Sequence, residues 1–184
     1  MTSSFDKAEL LHAFERLDEE LGRRGVRAEL FVVGGAAMAI AYDARRTTTD
    51  VDAIFVPSGI VREAAEVVAE LLDLDPEWLN DGAKGFAPGE DPDQVSVFEG
   101  QCLSVAAASP RYLLAMKLLA SRTDRDIDDI KFLFELCGLS SAEDGAKVLE
   151  SFYPTRIIPA RAHFLLQELF PDVPNRNGET GHDR

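Results

Sequence analysis

The fold of this chain is decided by the segment FVVGGAAMAIAYDARRTTTDVDAIF, residues 31–55. The segment opens on an apolar run that predicts a buried strand, and Gly34-Gly35 interrupts that run. Small residues after the glycines predict a short helix, and Asp50-Val51-Asp52 then leads into a second apolar run. The segment therefore predicts a strand, a glycine turn, a helix and a second strand with two carboxylates at its mouth.

The two carboxylates form the first candidate site. Side chains alternate between faces in an extended segment, so Asp50 and Asp52 are expected on the same face. Two such carboxylates repel each other unless they are solvated or share cations, and hard oxygen ligands suit Mg²⁺. Arg46 and Thr48 would share that face and hold phosphate oxygens. The alternative is an ordinary solvated Asp-x-Asp turn.

The glycine pair is the second candidate. Gly34 and Gly35 end a strand and open a helix, where a phosphate could approach the backbone and the free N–H groups of the helix start. The alternative is a plain tight turn. The segment does not match a Walker motif, because no Gly-Lys-Ser/Thr follows.

Together these features resemble the minimal nucleotidyltransferases of the AbiEii and MenT toxin group. A later segment, SPRYLLAMKLLASRTDRDIDDIKFL at residues 109–133, is similar to that group's second signature, a helix with a lysine followed by Arg-Asp-x-x-Asp. The resemblance implies polymerase-β-like nucleotidyl transfer with Asp50 and Asp52 binding Mg²⁺. It also implies that Gly34 and Gly35 shape a triphosphate site, and that the further active-site positions are Lys117 and Asp126.

The same resemblance implies the toxin of a toxin–antitoxin pair, with tRNA as the acceptor and a cognate antitoxin as a partner. Two alternatives remain open, an antitoxin-like enzyme that modifies a partner protein and a non-catalytic binding module that kept the fold. The formal net charge of −14 weighs against non-specific nucleic-acid binding and favours a protein acceptor.

Local interpretations compete with these roles in the second segment. Lys117 has apolar neighbours along its helix, as a snorkelling surface lysine would. Asp126 falls in a first helical turn, where a carboxylate caps the helix or interacts with its dipole, and Asp129 shares its face. Arg122 and Arg125 are expected to be salt-bridge partners, with phosphate or RNA contact as the alternative.

Two departures from the family pattern bear on catalysis. Ala36 follows Gly35 where many nucleotidyltransferases have a serine whose hydroxyl touches phosphate. The third carboxylate, usually on a later strand, has no clear counterpart, since residues 103–107 contain no acid and Glu99 is the nearest but a poor candidate. That carboxylate often serves as the general base, so catalysis would need Asp126 in its place.

The order of elements predicts an α+β protein with a polymerase-β-like nucleotidyltransferase fold, a small mixed sheet with helices followed by a helical C-terminal lobe. We expect a core at residues 1–108, the lobe at 109–171 and a disordered tail at 172–184. Residues 67, 68, 71 and 72 are expected to face inward, and a capping box is expected at 140–143. The predicted strands cover residues 29–33, 52–56, 94–98 and 102–107. The predicted helices cover residues 4–24, 36–42, 60–74, 109–121, 126–137 and 159–170. A loop is predicted at residues 75–93.

Composition predicts a cytoplasmic protein without a membrane segment. No apolar run reaches the ~18 residues of a spanning helix, and the N-terminal residues lack a secretory-signal layout. Cys102 and Cys137 are isolated, as expected for reduced core cysteines rather than a disulfide framework or a metal site.

Overall fold

A computed structural model describes residues 4–43, 45–120 and 126–171, and the chain divides into two compact units after Ser109. The first unit contains α1 (Lys7–Arg24), β1 (Ala28–Val32), α2 (Gly34–Ala37), a π-helical turn (Met38–Tyr42), β2 (Val51–Val56), α3 (Ser58–Leu72), β3 (Leu79–Asn80), a 3₁₀ helix (Gly82–Phe86), β4 (Val95–Glu99) and β5 (Leu103–Ala107). The second contains α4 (Pro110–Ala120), α5 (Ile127–Leu136), α6 (Ala142–Phe152) and α7 (Ala160–Leu169).

The strands of the first unit form one mixed sheet in the order β3-β2-β1-β5-β4. β1 is antiparallel to β2 and parallel to β5, β2 is parallel to β3, and β4 is antiparallel to β5. This confirms the predicted α+β class with a small mixed sheet. Because β1 and β2 run in opposite directions, the end of β1 and the start of β2 lie at the same edge of the sheet.

One face of the sheet is buried beneath helices. Alternate residues of β1, β2 and β5 point inward, and α1 packs against β5 and α3 while α3 packs on β2. Asp18 on α1 holds the β4–β5 turn, because its carboxylate accepts the backbone N–H groups of Gln101, Cys102 and Leu103 at 3.2, 2.7 and 2.8 Å. The hairpin is thereby attached to the first helix.

Helix α1 begins later than its pattern predicts. Residues 4–6 precede it, and Asp6 forms a capping box with Glu9, so the predicted start at residue 4 is wrong. The predicted end is confirmed, since Gly25 adopts a left-handed conformation and closes the helix. The predicted helix 36–42 begins earlier, at Gly34, and becomes a π-helical turn from Met38.

The inward face of α3 differs from the prediction. Val67 and Leu71 are 37% and 60% exposed, whereas Val61, Ala65 and Val68 are buried. The predicted inward positions 67 and 71 are therefore wrong. Alanines on the buried stripe let the helix backbone lie close to its neighbours.

The segment predicted as a loop at 75–93 contains β3 and a 3₁₀ helix. Trp78 anchors it, since its ring is fully buried and its indole N–H donates to the carbonyl of Ala65 at 3.0 Å. A two-residue strand has no periodicity to detect, and its stability comes from the buried tryptophan.

The second unit is helical. α4 packs against α5 and α6, and α6 packs against α7. The predicted capping box is displaced by one residue: Ser141 rather than Ser140 caps α6, and Asp144 rather than Glu143 completes the box. Residue 121, Arg122, Arg125 and the predicted tail at 172–184 lie outside the described residues.

Among the described helices, none combines the length and the apolar character needed to cross a membrane.

Candidate active site

The candidate site lies at the edge of the sheet where β1 ends and β2 begins. The N–H of Val33 donates to the carbonyl of Asp52 at 2.9 Å, which draws the glycine turn against the aspartate. Gly34 has φ of +64°, and a β-carbon on it would lie 3.2 Å from Oδ2 of Asp52. The backbone angle therefore favours glycine, and a β-carbon there would need the Asp52 carboxylate to shift by a few tenths of an ångström.

Gly35 makes the second close approach. A β-carbon on Gly35 would lie 2.9 Å from Oγ1 of Thr48, which donates to the carbonyl of Asp50 at 3.0 Å. The backbone of Thr48 is paired with that of Phe5 through two hydrogen bonds of 2.6 and 3.0 Å. Thr48 therefore links the glycine turn to the loop that carries Asp50.

The segment before β2 is not an extended strand. β2 begins at Val51, Thr48 forms an isolated bridge, and residues 49 and 50 bend. The expectation that strand alternation gives residues 46, 48, 50 and 52 one face is therefore wrong for the residues before 51. Contacts with Phe5, Gly35 and Asn80 bring Thr48 and Asp50 to the site instead.

Asp50 has neutral partners in the described chain. Its half-buried carboxylate accepts the Thr49 hydroxyl at Oδ1 and the Asn80 amide at Oδ2, both at 3.4 Å. Neither partner compensates its charge. A partly desolvated carboxylate without a cationic partner among the described residues, two positions from a second aspartate, is suited to a bound cation.

The donor set suits Mg²⁺ held jointly with a phosphate substrate. Within the described ranges, three or more acidic, histidine or cysteine side chains do not converge as metal ligands. Mg²⁺ does not require such a cage, since it is commonly held by one or two carboxylates, substrate phosphates and waters. Asp50 and Asp52 meet that requirement and would be its protein ligands.

Arg46 is held near this loop by Asp43. Its guanidinium Nε lies 3.5 Å from Oδ2 of Asp43. Hydrogen bonds from the backbone and side chain of Arg45, together with the charge of Arg46, keep the pKa of Asp43 below its usual value. Arg46 thus carries a positive charge on the segment that leads into the aspartate pair.

The register of the sheet shows that Glu99 lies too far from Asp52 to be the third carboxylate of this site. Glu99 pairs with Ser104, Ser104 with Glu29, and Glu29 with Val56. Glu99 is therefore level with Val56, four residues or about 13 Å along β2 from Asp52. The assignment of Glu99 as the third carboxylate, for which it was already a poor candidate, is therefore wrong.

The residue beside Asp52 on the neighbouring strand is Asn80, which sequence analysis missed. The signal was a Trp-Leu-Asn run inside a segment rich in proline, glycine and aspartate.

Asp91, also missed, is a buried carboxylate that accepts the backbone N–H and the hydroxyl of Ser109 at 2.6 and 3.0 Å. It holds the loop before β4 to the end of β5.

In the second unit, Lys117 bridges two aspartates. Its Nζ lies 2.7 Å from both Oδ1 of Asp126 and Oδ2 of Asp129, and the three side chains are 14%, 16% and 19% exposed. Lys117 is therefore not a snorkelling lysine. Asp126 occupies the N-cap position of α5 without a side-chain capping bond, so its ion pair replaces the expected cap.

The mixed sheet, the glycine turn and the aspartate pair at its edge define a small nucleotidyltransferase fold. Residues 8–133 match the family described as "Nucleotidyltransferase of unknown function (DUF6036)". The match spans well over half of the chain and both signature segments, and the chain belongs to this family. No curated protein and no solved structure gives a significant match.

Proposed function

We propose that this protein transfers a nucleotide from a nucleoside triphosphate to an acceptor in a reaction that depends on Mg²⁺. The observation that carries the proposal is the Asp50 carboxylate, which has only neutral partners in the described chain. Its backbone carbonyl is bonded to Thr48, and Thr48 and Asp52 lie against the Gly34-Gly35 turn. Membership in a nucleotidyltransferase family supports the same reaction class.

Each residue of the first unit has a role in this proposal. Asp50 and Asp52 hold Mg²⁺, which when bound neutralises charge on the phosphates. Gly34 and Gly35 shape the triphosphate site, because without side chains they let Asp52 and Thr48 lie against the turn. Arg46 supplies a positive charge for a phosphate oxygen. The Thr48 hydroxyl donates a hydrogen bond to the Asp50 carbonyl. Its proposed contribution to phosphate binding is therefore mainly to shape the site beside Gly35.

The helical unit contributes Lys117 and Asp126 to the proposal. A lysine ammonium can bind a triphosphate as a point charge. A carboxylate can accept the proton of the incoming nucleophile, a role left open because β5 carries no acid and Glu99 is level with the far end of β2. In the described part of the helical unit these groups form one cluster, because Nζ of Lys117 lies 2.7 Å from both Asp126 and Asp129.

The proposed biological role is that of a toxin in a toxin–antitoxin pair, acting on tRNA in the cytoplasm and restrained by a cognate antitoxin. A second candidate is an antitoxin-like enzyme that modifies a partner protein. The net charge of −14 favours this candidate, because a polyanionic acceptor is repelled at long range. A third candidate, a binding module without catalysis, is favoured by the missing third carboxylate, since β5 carries no acid and Glu99 is level with Val56.

The test is label transfer from each of four α-³²P nucleoside triphosphates, with total tRNA or lysate protein as acceptor and with Mg²⁺ or EDTA. Asp52→Asn should abolish transfer. Asp73→Asn is the matched control, because this exposed aspartate lines the same open concavity as Asp50 and belongs to no proposed site. Label on tRNA would support the role of a toxin. Label on protein would support the antitoxin-like enzyme. The absence of label from a folded sample with all four nucleotides would refute the enzyme and favour the module.

A further inference from the structure

Asn80 has a defined place beside the aspartate pair. β3 pairs with β2 through Val51–Leu79 and Asp52–Asn80 only. Directly paired residues of neighbouring strands project to the same face of a sheet, so Asn80 shares the face of Asp52. Its side chain nevertheless reaches Asp50, since Nδ2 lies 3.4 Å from Oδ2 of that carboxylate.

The orientation of the Asn80 amide follows from its second contact. Oδ1 accepts the backbone N–H of Gly82 at 3.0 Å. Because the Gly82 N–H needs an acceptor, the amide oxygen lies on the Gly82 side. The NH₂ group therefore faces the Asp50 carboxylate and donates a hydrogen bond to it. Asn80 is thus a neutral donor directed at a carboxylate.

The strand that carries Asn80 is firmly anchored on both sides. The N–H of Val51 donates to the carbonyl of Trp78 at 2.6 Å, and the indole of Trp78 is bonded to Ala65 on α3. After Asn80, Asp81 forms an ion pair with Arg62 of α3. A short strand fixed by a buried tryptophan and an ion pair can hold an amide in a constant position.

We propose that Asn80 is a positioning residue that orients the Asp50 carboxylate for the cation, and that its neutrality leaves the site with two carboxylates. The inference rests on the proposed function, because it presumes a cation at Asp50 and Asp52. Outer partners of ligating carboxylates contribute about 10- to 100-fold to metal affinity or activity. An amide at this point orients Asp50 without adding like-charge repulsion.

Two substitutions at Asn80 have opposite expected effects on metal affinity. Asn80→Ala removes the donor and should weaken Mn²⁺ binding about 10-fold or more. Asn80→Asp keeps an oxygen for the Gly82 N–H but replaces the donor with a charge and a hard ligand. It should lower thermal stability without metal and tighten Mn²⁺ binding. A residue that only held the Gly82 turn would leave Mn²⁺ affinity unchanged in Asn80→Asp.

The experiment is titration of the full chain with Mn²⁺, followed by electron paramagnetic resonance, beside thermal melts without metal. Asp81→Asn is the matched control, since it disturbs the same segment through Arg62, whereas the hydrogen-bond partners of Asp50 among the described residues are Thr49 and Asn80. Asp50→Asn should abolish binding. If wild type binds no Mn²⁺ either alone or together with a non-hydrolysable nucleoside triphosphate, the proposed metal site fails and the inference with it. If wild type binds, Asp50→Asn does not, and both Asn80 variants match wild type, only the role of Asn80 is overturned.

Discussion

The carboxylate of Asp52 occupies the space that a side chain at Gly34 would enter. A β-carbon on Gly34 would lie 3.2 Å from Oδ2 of Asp52, and the backbone there has φ of +64°. The glycine turn and the aspartate pair therefore depend on each other, since a larger residue at 34 must move Asp52.

Gly34→Ala should lower the free energy of unfolding by about 1–2 kcal/mol, the cost of a left-handed conformation for an L-residue, and should impair any activity through Asp52. Urea unfolding measures the stability. Gly59→Ala is the control, because a β-carbon there meets nothing within 4 Å and Gly59 lies in α3. That variant should be as stable as wild type or more so. Equal stability of Gly34→Ala and wild type would contradict the prediction.

Gly35→Ala should act through Thr48. The new β-carbon would lie 2.9 Å from Oγ1 of Thr48, so that hydroxyl must move and its bond to the Asp50 carbonyl weaken. We expect a loss of about 1–3 kcal/mol, as for other overpacked sites. Thr48→Ala removes the obstacle, so the double variant should lose less than the sum of the single variants. Strict additivity in this double-mutant cycle would disprove the contact.

A nucleoside triphosphate with Mg²⁺ should stabilise the protein. At a hundredfold excess over Kd the linkage contributes about 2.7 kcal/mol, which for a chain of this size corresponds to about 5–10 °C in Tm. Asp50→Asn should remove most of the shift, whereas Asp73→Asn should retain it. Differential scanning fluorimetry with each component alone and together measures this. A folded wild type that shows no shift under any combination speaks for the non-catalytic module.

Lys117→Met should destabilise the helical unit, because it leaves Asp126 and Asp129 facing each other without their shared cation. Because the three side chains are only partly buried, the expected cost is about 1–3 kcal/mol, between that of an exposed and that of a fully buried ion pair. A triple variant that also carries Asp126→Asn and Asp129→Asn should recover most of that stability in urea unfolding.

Nucleotide transfer by the same triple variant separates a structural from a chemical role of the cluster. If Lys117 and Asp126 take part in the reaction, activity stays lost although the fold is restored. Restored activity together with restored stability would show that the cluster serves the fold alone.

The capping box of α6 should make stability depend on pH in the acid range. Hydrogen bonds from the backbone N–H of Ser140, then from the side chain and the backbone of Ser141, hold the pKa of Asp144 below its usual 3.8. A carboxylate with a lowered pKa contributes stability that is present above 3.8 and is lost as pH falls through the lowered value.

Asp144→Asn should therefore be less stable than wild type at neutral pH, and the difference should shrink as the pH falls below 3.8. Urea unfolding at a series of pH values measures it. Glu150→Gln, an exposed change in the same helix, should follow the wild-type profile. A stability difference between Asp144→Asn and wild type that stays constant down to low pH would rule out the linkage.

Local patterns were sufficient where a structural feature depends on a few adjacent residues. Gly25 ends α1 because a left-handed residue closes the helix, and the hairpin of β4 and β5 follows from two alternating runs around a glycine. They failed where two registers compete locally. Either Ser140 or Ser141 could serve as the N-cap of α6. In the structure Ser141 is the N-cap, and the helix that begins there packs against α7.

By itself, the sequence determined the mixed α+β class, the glycine turn and the aspartate pair at the mouth of a strand, because these rest on backbone conformation and on interactions between near neighbours. Only the tertiary structure decided that Asn80 lies beside Asp52, that Glu99 is level with the far end of β2, and that Lys117 pairs with two aspartates. Such pairings join segments distant in the chain, and their energy comes from burial, as at Trp78, which no local pattern encodes.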